Sequence, residues 1–185
     1  LRAGADISEI NTVRRHLSAI KGGQLAARAG RSITLAISDV CTPVEDDPVV
    51  IGSGPTVGDS TAFADALAVL ERWDLTARVP VAALHHLLSG AAGSAHGPVA
   101  PDSDALRQAA YWVIASRHDA MHAAAETARR LGYSVHVRIE PTVGEARLAA
   151  SDLFELARTA ALPRPACVIA SGETTVAVRG QGRGG

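Results

Sequence analysis

Aromatic residues are scarce in this sequence: Phe, Trp and Tyr make up only 3% of the 185 residues, although 47% are hydrophobic. A core must therefore be built from Ala, Leu, Val and Ile. Their small side chains favour close packing of helices on a sheet and argue against a β-sandwich. The sequence also lacks any apolar run approaching the roughly 18–20 residues that a membrane-spanning helix needs. Composition thus indicates an α/β protein with a sizeable core.

Neither charge nor cysteine is in excess. The 18 basic and 19 acidic residues leave a net charge of −1, so nothing electrostatic points to nucleic acid or an anionic membrane as a partner. The two cysteines, Cys41 and Cys167, lie far apart in the sequence. They predict reduced thiols in a cytoplasmic protein rather than a disulfide or a metal site. The histidines show no zinc-ligand spacing.

Three common motifs are missing from the sequence. There is no P-loop, because Lys21 precedes the Gly22-Gly23 pair instead of following a glycine-rich turn. There is no convincing dinucleotide fingerprint, because the glycine-rich run at 180–185 follows a predicted turn rather than a strand. The G-x-S-x-G elbow of α/β-hydrolases is absent as well. The sequence therefore gives no sign of hydride transfer or of serine-hydrolase chemistry.

Hydrophobic spacing alternates between helix and strand patterns along the chain. Asp6 and Glu9 have the spacing of a capping box, which begins a helix of roughly three turns that ends before Gly22. Further helices are predicted at 24–29, 61–73, 80–88, 119–131 and 144–162. Strands are predicted at 33–37, 111–115, 133–139 and 167–170, with a locally paired one at 174–178. Residues 38–59 and 89–103 are predicted loops. The order predicts a mostly parallel sheet covered by helices.

Polar turns follow three of the predicted strands directly. These turns begin at Ser38, Ser116 and Ser171. Ligands of open parallel sheets bind at the carboxyl ends of the strands, beside helix N-termini, so the three turns predict a shared ligand cleft. A fourth polar run, residues 53–56, has glycine and hydroxyl side chains suited to approaching a phosphate, and fits a tight turn before the next helix equally well.

Charged residues offer two further candidate features. Cations cluster near the end of the first helix, where the helix dipole explains Arg15 and Lys21 but not the whole run. That cluster consists of Arg14, Arg15, His16 and Lys21. Carboxylates are candidate Mg²⁺ ligands, each with the alternative of a solvated or capping role. They are Asp39, Asp46, Asp47, Asp59 and Glu173.

Taken in order, these runs resemble the glycerate 2-kinase family that carries a C-terminal MOFRL domain. The matching runs are G-A-D-I at 4–7, N-x-x-R-x-H-L-S-x-x-K-G-G at 11–23, S-D-V at 38–40, S-G-P-T at 53–56 with Asp59, G-E-T-T-V at 172–176 and G-x-G-R-G-G at 180–185. The resemblance implies a Rossmann-like, mostly parallel sheet with helices on both faces, incomplete here, and the start of a second α/β domain. Residues 1–165 would be the C-terminal part of the large domain, and residues 166–185 the junction and the truncated beginning of the MOFRL domain.

The resemblance implies phosphorylation of D-glycerate to 2-phosphoglycerate, with ATP and Mg²⁺ as cofactors. As a hypothesis, Lys21 and Arg14 neutralise phosphate or the glycerate carboxylate, and Arg183 reaches into the cleft. Asp39 orients the substrate hydroxyl or, with Glu173, holds Mg²⁺. The residues expected to bind the phosphates are Ser53, Gly54, Thr56, Gly172, Thr174 and Thr175. The partner is a small molecule, and a homodimer is compatible with the sequence.

Two alternatives remain open at this point. Some relatives carry the label hydroxypyruvate reductase, which would mean NAD(P)H-dependent reduction. The chain begins at Leu1 inside a patterned segment and stops at Gly185 inside a glycine-rich turn. We therefore expect a piece of a longer polypeptide that lacks part of the active site, and an inert fragment is the second alternative. The loop at 41–47 and the pair Arg117-His118 depart from the family pattern.

Overall fold

A computed structural model describes residues 3–177 as two compact units. Within these residues, the first unit comprises 3–36 and 46–114, and the second comprises 37–45 and 115–177. The helices are α1 (Ile7–Leu17), α2 (Gln24–Ala29), α3 (Phe63–Arg72), α4 (Val81–Ala91), α5 (Arg117–Arg130) and α6 (Ala146–Thr159). The strands are β1 (Ser32–Ile37), β2 (Ala109–Ala115), β3 (Ser134–Val137) and β4 (Ala166–Ile169). Their alternation confirms the α/β class.

The core of the first unit lies between α1, α3 and α4. Its buried centre consists of Ala66, Leu70 and Leu87, and partly buried Val13 and Leu67 pack against it. Burying a leucine side chain of this kind stabilises the fold by about 1.5–3 kcal/mol. Small aliphatic residues thus build this core, as the composition predicts.

Phe63 is the large aromatic group of this core, and glycine makes room for it. A Cβ added at Gly90 or at Gly97 would overlap the Phe63 ring. The ring of His16 stacks edge-on against Phe63, with centroids 4.8 Å apart, and its Nδ1 lies 2.8 Å from the carbonyl oxygen of Thr12. Because a carbonyl only accepts, Nδ1 carries the proton. His16 therefore serves the packing of α1 on α3.

A buried ion pair joins α1 to the segment that precedes α3. Arg15 is 6% exposed and Asp59 is 4% exposed, and the Nε atom of Arg15 lies 2.5 Å from Oδ2 of Asp59. The same carboxylate accepts hydrogen bonds from the amide and the hydroxyl of Thr61, at 3.0 and 2.9 Å. Both oxygens of Asp59 are thus occupied by protein donors. The sequence interpretation of Arg15 as a partner of the helix dipole was incomplete.

Strands β1 and β2 form a two-stranded sheet. The amide of Ser32 donates to the carbonyl of Gln108 at one end, and the amide of Ser38 donates to that of Ala115 at the other, so the strands run in the same direction. On one side of β1, Thr34 donates from its hydroxyl to that of Thr56 at 2.7 Å. This bond ties the strand to the turn at 53–56.

The second unit packs α5 against a second two-stranded sheet. Strands β3 and β4 pair in parallel, with Ser134 opposite Ala166 and Val137 opposite Ile169. Met121 and Ala125 are the buried residues of α5 that face inward. Beyond the sheet, Glu145 and Thr175 form an isolated parallel bridge.

Several element ends differ from the sequence prediction, each for a local reason. Helix α5 begins at Arg117, two residues early, because Ser116 caps it. Helix α4 continues to Ala91, into the predicted loop at 89–103, because Gly90 packs on Phe63. Within residues 3–177, the strands form two sheets of two strands each, and only the bridge at Thr175 represents the strand predicted at 174–178. Within residues 3–177, none of the helices combines the length and the apolar composition that a membrane span requires.

Arg15→Met tests the weight of the buried ion pair. Removing the guanidinium leaves the Asp59 carboxylate buried without its partner, which costs about 3–5 kcal/mol in comparable cases. We expect the unfolding free energy of the first unit to fall by that amount in urea denaturation followed by circular dichroism. Arg14→Met, on the exposed side of the same helix, is the matched control and should change it by less than about 1 kcal/mol. Equal losses in both variants would contradict a dominant role for the pair.

Candidate functional site

In the first unit, one buried amide links helix α1 to the turn at 51–54. Oδ1 of Asn11 accepts hydrogen bonds from the Ser53 hydroxyl at 3.1 Å and from Nη1 of Arg14 at 3.0 Å. Asn11 and Ser53 are both buried. The link crosses 42 residues of sequence. It brings two of the predicted ligand segments, 11–23 and 53–56, into direct contact.

The glycine pair after Lys21 runs alongside the same turn. The amides of Gly22 and Gly23 donate to the carbonyls of Ser53 and Gly54, at 3.3 and 2.8 Å. A Cβ added at Gly22 would lie 2.8 Å from Cβ of Pro98, and Gly23 has a φ of +77°. Glycine is therefore favoured here, because the Pro98 ring packs directly on Gly22 and Gly23 adopts a left-handed backbone conformation.

The turn itself has an unusual backbone. Gly52, Ser53 and Gly54 follow one another with φ values of +60°, +63° and +60°. The left-handed region is uncommon for serine, and such residues cluster at functional sites. The amides of Ser53 and Gly54 donate within the turn, to the carbonyls of Val50 and Ile51. In this conformation those two amides are therefore engaged and do not point to a phosphate.

Side-chain donors remain next to the turn. The ammonium of Lys21 donates to the carbonyl oxygen of Gly52 at 2.7 Å, from a solvent-exposed position. Arg14 is exposed as well, and Nη1 of its guanidinium donates to the side-chain oxygen of Asn11. Lys21, Arg14, Ser53, Gly54 and Thr56 thus lie in one connected part of the first unit. Lys21 and Arg14 supply the positive charge of this part of the first unit.

In the second unit, the turn at Ser116 builds a capped helix start. The Ser116 hydroxyl accepts from the amide of His118 at 3.2 Å, and Oδ2 of Asp119 accepts from the amide of Ser116 at 2.7 Å. The bonds from the backbone and the hydroxyl of Ser116 hold the pKa of Asp119 below its usual value. Asp119 is therefore a capping carboxylate.

Arg117 is buried and connects segments that follow several strands. Its Nη1 donates to the carbonyl of Ile139 at 2.8 Å and to the hydroxyl of Ser171 at 3.3 Å. Its Nε lies 2.5 Å from Oε1 of Glu45, a contact that is an ion pair rather than an aligned hydrogen bond. One guanidinium thus holds the loop after β1, the segment after β3 and the turn after β4.

Glu45 has two close side-chain partners. Besides Arg117, Nε2 of His118 lies 2.9 Å from the same carboxylate oxygen. The Arg117 guanidinium beside it, aided by His118, holds the pKa of Glu45 below its ordinary value of 4.5. Both departures from the family pattern, the loop at 41–47 and the pair Arg117-His118, therefore contact one another.

The turn after β4 is fixed by its backbone. The amide of Thr142 donates to the carbonyl of Ser171 at 2.8 Å, and a Cβ added at Gly172 would overlap the Thr142 backbone. Gly172 has a φ of +152°. The amide of Thr175 donates to the carbonyl of Gly144 at 2.7 Å. Gly172 thus serves close packing, while Glu173 and Thr174 are exposed.

Two of the candidate metal ligands, Asp39 and Glu173, lie in the second unit, whereas Asp46, Asp47 and Asp59 lie in the first. Asp39 is exposed and follows the buried Ser38, and Glu173 is exposed in the turn after β4. Across residues 3–177, no group of three or more His, Cys, Asp or Glu side chains could hold a metal ion. Asp59 is already saturated by Arg15 and Thr61, which removes it from the candidates. Arg183 lies outside the described residues.

The predicted cleft is partly assembled within each unit. Arg117, in the turn that begins at Ser116, contacts Ser171 of the turn after β4 and Glu45 of the loop after β1. Sequence reasoning missed Asn11 and Glu45 as organising residues. Asn11 had a signal, because it lies three residues before Arg14 on one helix face. Glu45 had none, because it stands in an irregular loop and its partner is far away in sequence.

The chain is similar in sequence to one family model and to several named proteins. Residues 1–88 match a family described as a domain of unknown function, DUF4147. A protein of Pyrococcus horikoshii named glycerate 2-kinase is 38% identical over 188 residues, which is 98% of this chain and 41% of the relative. A protein of Agrobacterium vitis named as a hydroxypyruvate reductase is 39% identical over 194 residues, covering the whole chain and 41% of the relative.

A solved structure agrees with these relatives. The crystal structure of a glycerate kinase from Thermotoga maritima superposes with a TM-score of 0.68 and 32% identity, over 100% of this chain and 42% of that one. The chain therefore spans about two fifths of the length of the relatives it matches.

Glu45→Gln tests the charge cluster through its pH dependence. The folded-state pKa of Glu45 is depressed from 4.5, so the stability it contributes is present above pH 4.5. That stability is lost as the pH falls through the lowered folded value. We expect the unfolding free energy of the second unit to fall less steeply below pH 4.5 in the variant, by urea denaturation at successive pH values. Glu140→Gln, an exposed carboxylate without an ion pair among the described residues, should leave the slope unchanged.

Arg117→Lys tests whether the guanidinium positions the Ser171 turn. Lysine keeps the charge but loses the planar fork that reaches two acceptors at once. We expect the amide of Thr142, which donates to Ser171, to exchange with deuterium at least about tenfold faster. The amide of Arg138, which donates to Ile169, is the internal control and should exchange as before. Unchanged exchange at Thr142 would show that the turn holds without Arg117.

Proposed function

We propose that this chain is a member of the glycerate kinase family and forms part of an enzyme that transfers a phosphoryl group from ATP to the 2-hydroxyl of D-glycerate. The match over 98% to 100% of the chain with relatives of that name supports the assignment. The sequence lacks a dinucleotide fingerprint, which favours this reaction over the reduction suggested by the name of the Agrobacterium vitis relative.

The observation that carries the proposal is the contact between the segment at 11–23 and the turn at 52–54. Asn11 and the glycine pair fix this turn from the side, and Lys21 reaches its outer carbonyl at Gly52. Phosphoryl transfer depends on positioned positive charge more than on covalent chemistry. Since the amides of Ser53 and Gly54 are engaged within the protein, the side chains of Lys21 and Arg14 take the main role in binding anions.

Phosphoryl transfer requires these residues to position the two substrates and to neutralise charge. The 2-hydroxyl oxygen of glycerate bonds to the γ-phosphorus of ATP, the bond to the ADP oxygen breaks, and the hydroxyl proton is released. Lys21 would hold transferring phosphate oxygens as a point charge. Arg14 would hold phosphate or the substrate carboxylate, whose planar shape suits a guanidinium. Asp39 would accept a hydrogen bond from the reacting hydroxyl.

The candidate ligands fit Mg²⁺ in their chemistry. This ion takes hard oxygen donors and is often held by one or two carboxylates together with phosphates and water. Asp39 and Glu173 are exposed carboxylates with oxygens open to solvent, so both are able to serve as ligands. When bound, Mg²⁺ would neutralise the charge of the ATP phosphates. Thr174 stands beside Glu173 as a hydroxyl donor.

A cytoplasmic setting agrees with the thiols. Cys41 and Cys167 are both free, as expected where the compartment is reducing. We also propose that residues 166–185 are a domain junction that begins the MOFRL domain, and that Arg183 contributes to the cleft. A homodimer also remains a prediction.

Lys21→Ala tests the proposal directly. The protein for this test is the Pyrococcus horikoshii relative in which this chain replaces the 188 aligned residues, hereafter the chimera. We expect kcat/KM for ADP formation with D-glycerate and Mg²⁺ to fall by at least about a hundredfold, because a preorganised donor to the transferring group is lost. Phosphorus NMR should identify 2-phosphoglycerate as the product of the unaltered chimera.

Arg28→Ala is the matched control, because Arg28 is an exposed cation on α2 a short distance along the chain. It should leave kcat/KM unchanged. An unchanged kcat/KM in the Lys21→Ala variant would contradict the proposed role of Lys21 in phosphoryl transfer. Oxidation of NADH or NADPH by hydroxypyruvate, without ADP formation from glycerate, would instead establish the reductase.

A further inference from the structure

One face of the β1–β2 sheet is apolar and exposed. Ile33 and Leu35 of β1 are 69% and 62% exposed, and Trp112 and Ile114 of β2 are 51% and 58% exposed. Alternate residues of a strand point to the same side, so each pair shares a face. Ile33 and Trp112 also line a common open pocket of about 490 Å³. We refer to these four residues as the open sheet face.

The opposite face of this sheet is covered by the protein itself. Ala36 is buried, and Thr34 is hydrogen-bonded to Thr56. Burial, together with the nearby Asp47, raises the pKa of Tyr111. The intervening positions of both strands therefore face the interior, which confirms that the open sheet face is the outward side.

Such a face is unfavourable in water. Two-stranded sheets are marginal unless further strands or packed helices support them, and α/β sheets are covered on both faces. Contiguous exposed apolar patches on soluble proteins mark sites of association. The four large side chains lie on neighbouring hydrogen-bonded strands, so they form one patch rather than isolated exposures.

The relatives suggest what covers it. The whole chain superposes on 42% of the Thermotoga maritima glycerate kinase, so more than half of that protein has no counterpart here. We infer that the open sheet face is the docking surface for polypeptide equivalent to that remaining part, which covers it with aliphatic and aromatic side chains. The inference rests on family membership and is independent of the reaction proposed above.

Positive charge at one end of the open sheet face indicates the composition of the polypeptide that covers it. Arg31 and Arg107 line the same pocket as Ile33 and Trp112. Arg107 pairs with Asp104 at a solvent-exposed position, and Arg31 is exposed. The covering segment should therefore be apolar in its centre and carry carboxylates where it meets these two arginines.

Thiol labelling tests the inference. In a background with Cys41→Ala and Cys167→Ser, the variants Ile33→Cys and Leu35→Cys are labelled with a maleimide in the isolated chain and in the chimera. We expect labelling at both positions to be at least about tenfold slower in the chimera, because the remaining polypeptide covers them. Glu71→Cys, at an exposed charged position on α3, should be labelled equally fast in both proteins.

Trp112 offers a second measurement that needs no substitution on the face. With Trp73→Phe, Trp112 is the remaining tryptophan of this chain, and its fluorescence emission should move to shorter wavelength in the chimera. The tryptophans of the Pyrococcus horikoshii part are replaced with phenylalanine for this comparison. An unchanged emission, or equal labelling at Ile33→Cys in both proteins, would overturn the inference.

A second copy of the chain is the competing occupant. If the isolated chain forms a dimer whose labelling at Leu35→Cys slows as its concentration rises, a second copy covers the face and the inference fails. Glycerate phosphorylation by the chimera is measured separately. Protection of the face without phosphorylation supports the docking surface and contradicts the proposed function, so the two failures are distinguishable.

Discussion

The buried pair of Arg15 and Asp59 sets the geometry of the first unit. Its charges are removed from water, so each requires the other, and neither tolerates a shift of α1 against the segment before α3. Arg15 lies four residues after Asn11, on the same face of α1. Fixing the rotation of the helix at Arg15 therefore directs Asn11 towards Ser53. The positions of the Gly52–Gly54 turn and of Lys21 both depend on this orientation.

Local features of the sequence were enough to predict most helices. The capping box at Asp6 and Glu9 involves neighbouring residues, and helix α2 ends where Gly30 predicts it. The contacts that build the candidate site could not be predicted, because they join residues that lie far apart in the sequence. Asn11 meets Ser53 across 42 residues, Arg117 meets Ser171 across 54, and nothing in the spacing of either pair indicates a partner. Family resemblance located the segments but not the bonds between them.

The glycines of the candidate site have a different role from the one their pattern suggests. Glycine-rich turns invite the interpretation that free amides surround a phosphate. Here the amides of Gly22, Gly23 and Gly54 all bond to backbone carbonyls, and their missing side chains allow two segments to touch. The glycines therefore build a rigid support, and the chemistry falls to the charged side chains that the support presents.

The second unit takes a short segment, Ile37–Glu45, from the middle of the chain portion that otherwise forms the first unit. During synthesis on the ribosome, Glu45 emerges long before Arg117, and at about 5–20 residues per second it waits several seconds for that partner. The first unit is able to close around the gap as soon as Ile114 has left the exit tunnel. The order of emergence thus places the Glu45 contact late in folding, after the rest of the loop that follows β1 has been synthesised.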